Sequence, residues 1–351
     1  MMESYDIASR YDDVENWINM VVNSGHDLLF DVETFDHELK EACKKIGFPF
    51  ESLHSFLSHL HLKHIKKKTF VVRNQIKSFV LPEYDRGTSI QKLAQILNFP
   101  PSLLSRIIIE NISTLSKKKI TEALRDPKKK LNSISIILEE HFISEEKYIK
   151  QKDMGNGSTT TRLAKEVYEA VDSDPMYGPR FDLQKHRIGI KYEHILEETL
   201  RSMKIPFETE DELRKRGTSR TPDILLLSPV AIKVPKSHLM SASNHPITST
   251  TGTLKDEEQE YVWKMICWID SKALFGDVFT HQNSVLPQAE AYVHRFGPGL
   301  VLYWFGHAPI HRLGNGHGDV IVTEWKVPSE LLLPTGDVAR VGGWTSESIA
   351  S

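Results

Sequence analysis

The chain has two cysteines in 351 residues, Cys43 and Cys267. They supply no disulfide framework and no Cys-rich metal site. Cys267 sits inside an apolar run and reads as core, which suits a reducing compartment. No apolar stretch approaches the ~20 residues that span a bilayer. The N-terminus, M-M-E-S-Y-D-I, is acidic and polar and is not a secretory leader. A soluble, intracellular protein is expected. The formal net charge of -3 gives no global signal of a polyanionic partner. Sixteen histidines show no zinc spacing, and no Ser-His-Asp or Cys-His arrangement has usable context. G-N-G-H-G (314 to 318) lacks the spacing of a phosphate loop and reads as a turn. There is no internal repeat.

What is present is distributed unevenly. The length predicts two domains, and 40% apolar residues suffice for real cores. Residues 3 to 41 hold eleven acids against Arg10 and Lys40, whereas residues 51 to 130 hold sixteen Lys or Arg against six acids. A basic block of this kind suits nucleic acid or solvated helix faces. Residues 1 to 150 have apolar residues at helical spacing and predict a helical domain. Within it, S-I-Q-K-L-A-Q-I-L-N-F-P-P-S-L-L-S-R-I-I-I-E (89 to 110) predicts two short helices around a tight turn. Leu93, Ala94 and Leu97 face Leu103, Leu104, Ile107 and Ile108. This is helix-turn-helix-like, and an ordinary helical hairpin without DNA contact fits it equally well. Basic stretches lie nearby at 63 to 68 and 117 to 119. Lys63, Lys66, Lys67 and Lys68 are the candidate phosphate-backbone contacts.

Residues 151 to 161 read as a linker. From 162 to 330 the expected order is a helix (187 to 203), three strands (206 to 209, 223 to 232, 261 to 272), a helix (284 to 295) and two strands (299 to 306, 319 to 325). That is an α/β pattern with a central mixed sheet. The Ser/Thr-rich stretch 233 to 259 is expected to be a loop insertion, and 331 to 351 a flexible tail.

The chemistry concentrates in W-I-D-S-K-A-L-F-G-D (268 to 277). Asp270 and Lys272 close an apolar run that reads as an interior strand covered on both faces. They share one face of the strand, with Ser271 on the other. Burying such charges is costly unless they are paired or bound to an ion; a strand end reaching solvent is the plainer alternative. Asp223 opens the apolar run I-L-L-L after Pro222, as a strand start does. Glu193, in K-Y-E-H-I-L-E-E-T-L, borders the apolar stripe of its helix and can overlook the sheet. Carboxylates with a lysine at a sheet edge suit a hard divalent cation such as magnesium, with the lysine orienting or activating water or stabilising charge on phosphate.

Asp223 followed by Asp270-Ser271-Lys272 resembles the PD-(D/E)xK pattern of the restriction-endonuclease-like superfamily. The flanking M-Y-G-P (176 to 179), D-E-L-R-K-R-G (211 to 217), R-T-P-D (220 to 223) and R-F-G-P-G-L-V-L-Y-W-F-G (295 to 306) are more specific and resemble the TPD-motif family. The likeness covers most of 162 to 306, and extends more weakly into 100 to 110 and 124 to 127. It implies a restriction-endonuclease-like α/β core after a helical, helix-turn-helix-like region. It implies Asp223, Asp270 and the first-helix acid Glu193 as metal ligands for Mg2+ or Mn2+, and Lys272 as the catalytic lysine. Gln288 and Tyr292, four apart on a helix, resemble the accessory Gln-x-x-x-Tyr element of some such nucleases; a polar surface pair fits as well. The implied function is metal-dependent hydrolysis of DNA, structured or branched, with RNA the less favoured substrate. The implied partner is a codanin-like protein, and the implied location nucleus and cytoplasm. The alternative is a non-catalytic binding or scaffold protein on a nuclease fold. The chain departs from the family in a longer loop between Asp223 and Asp270, an expansion near 128 to 160, and Asp rather than Glu at 270.

Overall fold

The computed structural model describes residues 7–26, 29–125, 162–235, 261–314 and 318–345. The chain divides into two compact units. One comprises Asp13–Phe50 and Leu57–His186; the other comprises Met1–Asp12, Glu51–Phe56 and Arg187–Ser351. One of the divisions falls after His186; the linker expected at 151 to 161 lies outside the described residues.

Helices come first: α1 (Ile7–Ser24), α2 (Val32–Ile46), α3 (Phe50–Gln75), α4 (Leu81–Asp85), α5 (Ile90–Leu97), α6 (Pro101–Ile112), α7 (Lys117–Arg125), α8 (Arg162–Ser173) and α9 (Pro179–Ser202). Local chemistry sets their ends. Asp31 caps α2 by accepting from the Thr34 N–H, and Gly47 closes it in the left-handed region. Ser89 caps α5 through the Lys92 N–H, and Asn98 ends it at φ 45°. The Pro100–Pro101 pair then starts α6. Two helices around a tight turn are present over 89 to 110, with Leu93, Ala94, Leu104, Ile107 and Ile108 buried between them and their neighbours. No residue of α6 is exposed, because α5, α7 and α8 all pack against it. A recognition helix needs an open face.

M-Y-G-P serves this helical unit. Asp174, fully buried, accepts from the Ser102 N–H (3.1 Å) and hydroxyl (2.5 Å) at the start of α6. Its other oxygen accepts from the Met176 and Tyr177 N–H groups at 3.0 and 2.8 Å. A Cβ on Gly178 would lie 2.7 Å from the Val171 carbonyl oxygen, so only glycine fits that turn.

The second unit is built on β1 (Phe207–Thr209), α10 (Glu210–Lys215), β2 (Ile224–Pro235), β3 (Tyr261–Lys272), α11 (Val278–Thr280), α12 (Leu286–Phe296), β4 (Gly299–Tyr303), α13 (Ile310–Leu313), β5 (Val320–Glu324), β6 (Glu330–Leu332), β7 (Val338–Arg340) and β8 (Gly343–Thr345). The sheet order is β5-β4-β3-β2-β6-β7-β8, with β1 also pairing with β2. β3, β4 and β5 run parallel; β2 is antiparallel to β1, β3 and β6. A helical region followed by a mixed sheet with helices matches the expected nuclease-like α/β fold.

Three expectations change. β2 runs to Pro235, so residues 233 to 235 are strand and not loop; 236 to 259 lie outside the described residues. The flexible tail is replaced, as far as residue 345, by the antiparallel strands β6, β7 and β8, which bury Leu331 and Ala339 completely. β3 is not covered on both faces throughout: Tyr261, Trp263 and Met265 are exposed on one face, and full burial begins only at Trp268.

Candidate active site

The C-terminal end of β3 is locked just before Asp270 is reached. Trp268 pairs with Gly299 on β4, and its indole fills the space a side chain would need: a Cβ on Gly299 would sit 2.0 Å from the ring. The indole N–H donates to the Gly297 carbonyl at 2.8 Å. These contacts couple W-I-D-S-K to R-F-G-P-G, and fix the register that sets Asp270 beside Val301 and Lys272 beside Tyr303. On the other side, Ile224 of β2 pairs with Ile269. Asp223 is thereby held against β3, where its Oδ2 accepts from the Ser271 N–H at 2.7 Å. The Ser271 hydroxyl points to the opposite face and accepts from Trp304 Nε1 at 2.8 Å.

Asp270 is 1% exposed. Its Oδ2 forms an ion pair with Lys272 Nζ at 2.6 Å, while neither of its oxygens accepts a well-aligned hydrogen bond from the described residues. Lys272 also donates to Gln288 Oε1 at 3.3 Å, and Gln288 Nε2 donates to the Tyr292 hydroxyl at 2.6 Å. The Tyr292 ring meets Trp268 edge-on at 5.3 Å. The exposed Gln288 thus links the buried Tyr292 to the lysine by two hydrogen bonds.

The charges are strongly coupled. Burial pushes the Asp223 carboxyl well above the usual carboxylate range. The neighbouring Asp270 and Glu193 add to this, against the pull of Lys272 and the Ser271 N–H. Burial opposes the Lys272 ammonium, yet the attraction of Asp270, Asp223 and Glu210 overcomes it and holds Lys272 above the ordinary lysine value. Burial, then the charge of Asp270, raises the Tyr292 phenol.

Glu193 is exposed on α9 and lines one cleft with Glu197, Thr209, Glu210, Asp211 and Asp223. Glu210 was not singled out from the sequence. Its backbone N–H donates to the Asp223 carbonyl at 2.9 Å, its carboxylate accepts from Thr221 at 3.2 Å, and it pairs with Arg214 at 2.7 Å. The signal was available: Thr209 and Glu212 have capping-box spacing, and the reciprocal cap is formed. It starts α10 directly after β1 and puts the first-turn acid Glu210 beside Asp223.

A divalent cation fits this donor set. Asp270 Oδ1 is a buried acceptor without a donor, which is costly, and two adjacent carboxylates repel each other. Among the described residues no three His, Cys, Asp or Glu side chains gather closely enough to form a metal cage. Magnesium and manganese need only one or two carboxylates and fill remaining positions with water or phosphate oxygens. The four lysines of the basic stretch lie on α3. Lys66 and Lys67 are exposed, Lys63 and Lys68 half-buried, and burial lowers the Lys68 ammonium. No helix among the described residues is long and apolar enough to cross a membrane.

Comparison with known proteins agrees with the motifs. A family model described as a protein of unknown function with the TPD sequence motif matches residues 159–242 and 248–324. The chain is 29% identical over 279 residues to the CDAN1-interacting nuclease 1 of Bos taurus, covering 75% of this chain and 79% of that protein. It is 29% identical over 281 residues to the Mus musculus protein of the same name, and 28% over 279 residues to that of Homo sapiens, with the same coverage. No solved structure matches. The resemblance to the TPD-motif family agrees with the family model that matches.

Proposed function

We propose that this chain is a metal-dependent nuclease that hydrolyses phosphodiester bonds in DNA, with Asp223, Asp270 and Lys272 as its catalytic centre and Glu193 at its rim. The observation that carries this reading is the buried Asp270, with one oxygen on Lys272 and the other without a donor, next to an Asp223 held by backbone. A scaffold has no use for such a costly arrangement. The relatives named as nucleases support the reading. Bound magnesium or manganese, held by Asp223 and Asp270, would supply Lewis-acid polarisation of the phosphate and an activated water.

The chain's own groups divide the remaining work. The Ser271 N–H fixes Asp223, and the sheet register fixes Asp270. Asp270, Asp223 and Glu210 hold Lys272 as an ammonium, which places a positive charge to stabilise the phosphate's developing charge. Gln288, anchored by Tyr292, restrains the lysine. The acidic cleft repels a phosphodiester until a cation offsets its charge, which is a second reason for metal dependence. DNA with branches or other structure is the proposed substrate, and a codanin-like protein the proposed partner, after the printed name of the relatives.

The test is incubation of the purified chain with single-stranded, duplex and branched DNA and with RNA, in magnesium, manganese or chelator, beside Lys272→Ala. Cleavage that needs the cation and is lost in Lys272→Ala is expected. Binding of nucleic acid or protein partner without cleavage of any substrate would establish the scaffold alternative.

A further inference from the structure

Between Glu51 and Glu83 the sequence contains no acidic residue, and most of that stretch is the single helix α3 with its continuation through a π turn, Ile76–Val80. Its apolar side is already used: Ile65, Val72 and Ile76 are buried. On the other side stand Lys63, Lys66, Lys67, Phe70, Asn74 and Lys77. At about 100° per residue they all fall within roughly 60° of Phe70, and from Lys63 to Lys77 they run about 21 Å. Phe70, at the centre, is 71% exposed. Lys66, Lys67 and Lys77 have no ion-pair partner among the described residues.

We infer that this face of α3 is a track for single-stranded nucleic acid, with Phe70 as a stacking platform between flanking phosphate contacts. The inference rests on the nucleic-acid reading above and deepens it, naming unpaired strand as what the helical unit holds. Lysines without internal partners are available to phosphates. A lone ring among them gains little from a duplex, whose bases are already stacked, but can stack on an unpaired base of any sequence. Asn74, one turn on, adds a donor and acceptor. The face is too narrow in apolar surface for a membrane-lying helix, since the apolar side of α3 is turned into its own core. The track also supplies what α6 cannot: a helix face open to solvent in the same helical unit.

The experiment measures equilibrium binding of the full chain, in chelator, to a labelled 12-nucleotide mixed-sequence DNA strand and to its duplex, across a salt series. Phe70→Ala is expected to weaken strand binding about fivefold or more while changing duplex binding less, with Phe70→Trp retaining it. Replacing Lys66, Lys67 and Lys77 together by Gln is expected to flatten the log–log salt dependence by about 2. Because Phe70 is exposed, neither substitution at that position should alter the thermal midpoint. Parent-like strand affinity in Phe70→Ala, or equal losses on strand and duplex, would overturn the track. So would loss of binding to phosphatidylserine vesicles with strand binding intact. The readout needs no cation, so the two readings fail separately: a chain that cleaves nothing but keeps the Phe70 dependence refutes only the nuclease, and a cleaving chain indifferent to Phe70 refutes only the track.

Discussion

Lys272→Met removes the cation paired with Asp270 while keeping most of the side chain's volume. Lys272 Nζ lies 2.6 Å from an oxygen of the 1%-exposed Asp270, and Asp223 adjoins it with its carboxyl already pushed up by burial and by Asp270. Without the ammonium, two buried carboxyls face each other with no cation. Breaking a buried pair by deleting one partner costs about 3–5 kcal/mol. The protein has an escape, because one carboxyl of the pair can take a proton. From an ordinary aspartate value near 3.9, that costs about 1.36 kcal/mol per pH unit, so the penalty is capped at roughly 4 kcal/mol at pH 7 and roughly 1.5 kcal/mol at pH 5. The sign follows from proton binding. Above pH 4 the folded variant binds more protons than the folded parent, because the ammonium that offset the carboxylates is gone, so its stability relative to the parent falls as pH rises. Urea unfolding in chelator at pH 5 and pH 7 measures this directly. The midpoint deficit should widen by about 2.5 kcal/mol between the two, and magnesium should recover part of it by binding only the folded state. A deficit under about 1 kcal/mol at pH 7, or one independent of pH, would mean that the pair is solvated and the buried-site account is wrong.

Three further outcomes follow from the same structure. Asp174→Ala leaves the Ser102, Met176 and Tyr177 donors without their acceptor and should cost the helical unit about 3 kcal/mol, read from its urea midpoint; an unchanged midpoint would remove M-Y-G-P from the structural role given to it. Leu331→Ala, at a fully buried position of β6, should cost about 2–5 kcal/mol, whereas a loose tail would show no change. Burial, with neighbouring His64 and Lys68, pushes the His61 imidazole down from 6.5 to about 3. Burial, with His307 and against Asp277, takes His281 to about 4. Both stay neutral in the fold while the unfolded chain takes up protons below pH 6.5, so stability present above 6.5 is lost as pH falls toward 4, by roughly 2 kcal/mol per histidine at pH 5. His281→Gln should flatten the pH 7 to pH 5 slope of its unit, and an unchanged slope would contradict the assignment.

The central strands were legible because β2 to β5 are apolar runs bounded by proline, glycine or charge, long enough for pattern to specify them. The three-residue strands β6, β7 and β8 carry no periodicity of their own; pairing alone makes them strands. The helix-turn-helix segment shows the opposite limit. Its two apolar faces correctly predict a tight hairpin, but not that α7 and α8 close over α6. Asp223, Asp270 and Lys272 stood out as charges at the ends of apolar runs and were joined by the family resemblance, and the structure brings them together. What spacing could not show is the lock between Trp268 and Gly299, which requires knowing that β3 and β4 pair in parallel. Nor could it show that Gln288 is tied to Lys272 across elements. Glu210 was missed although its capping box is local.

The most direct measurement is single-turnover cleavage of a labelled branched DNA by the parent and by Asp270→Asn over a range of magnesium concentrations. The substitution keeps the shape of the side chain and removes one ligand charge. Cation-dependent cleavage by the parent, with loss on the order of a hundredfold or more in the variant at every magnesium concentration, is the predicted result. Equal cleavage by both, or cleavage by the parent that persists in chelator, would contradict the account.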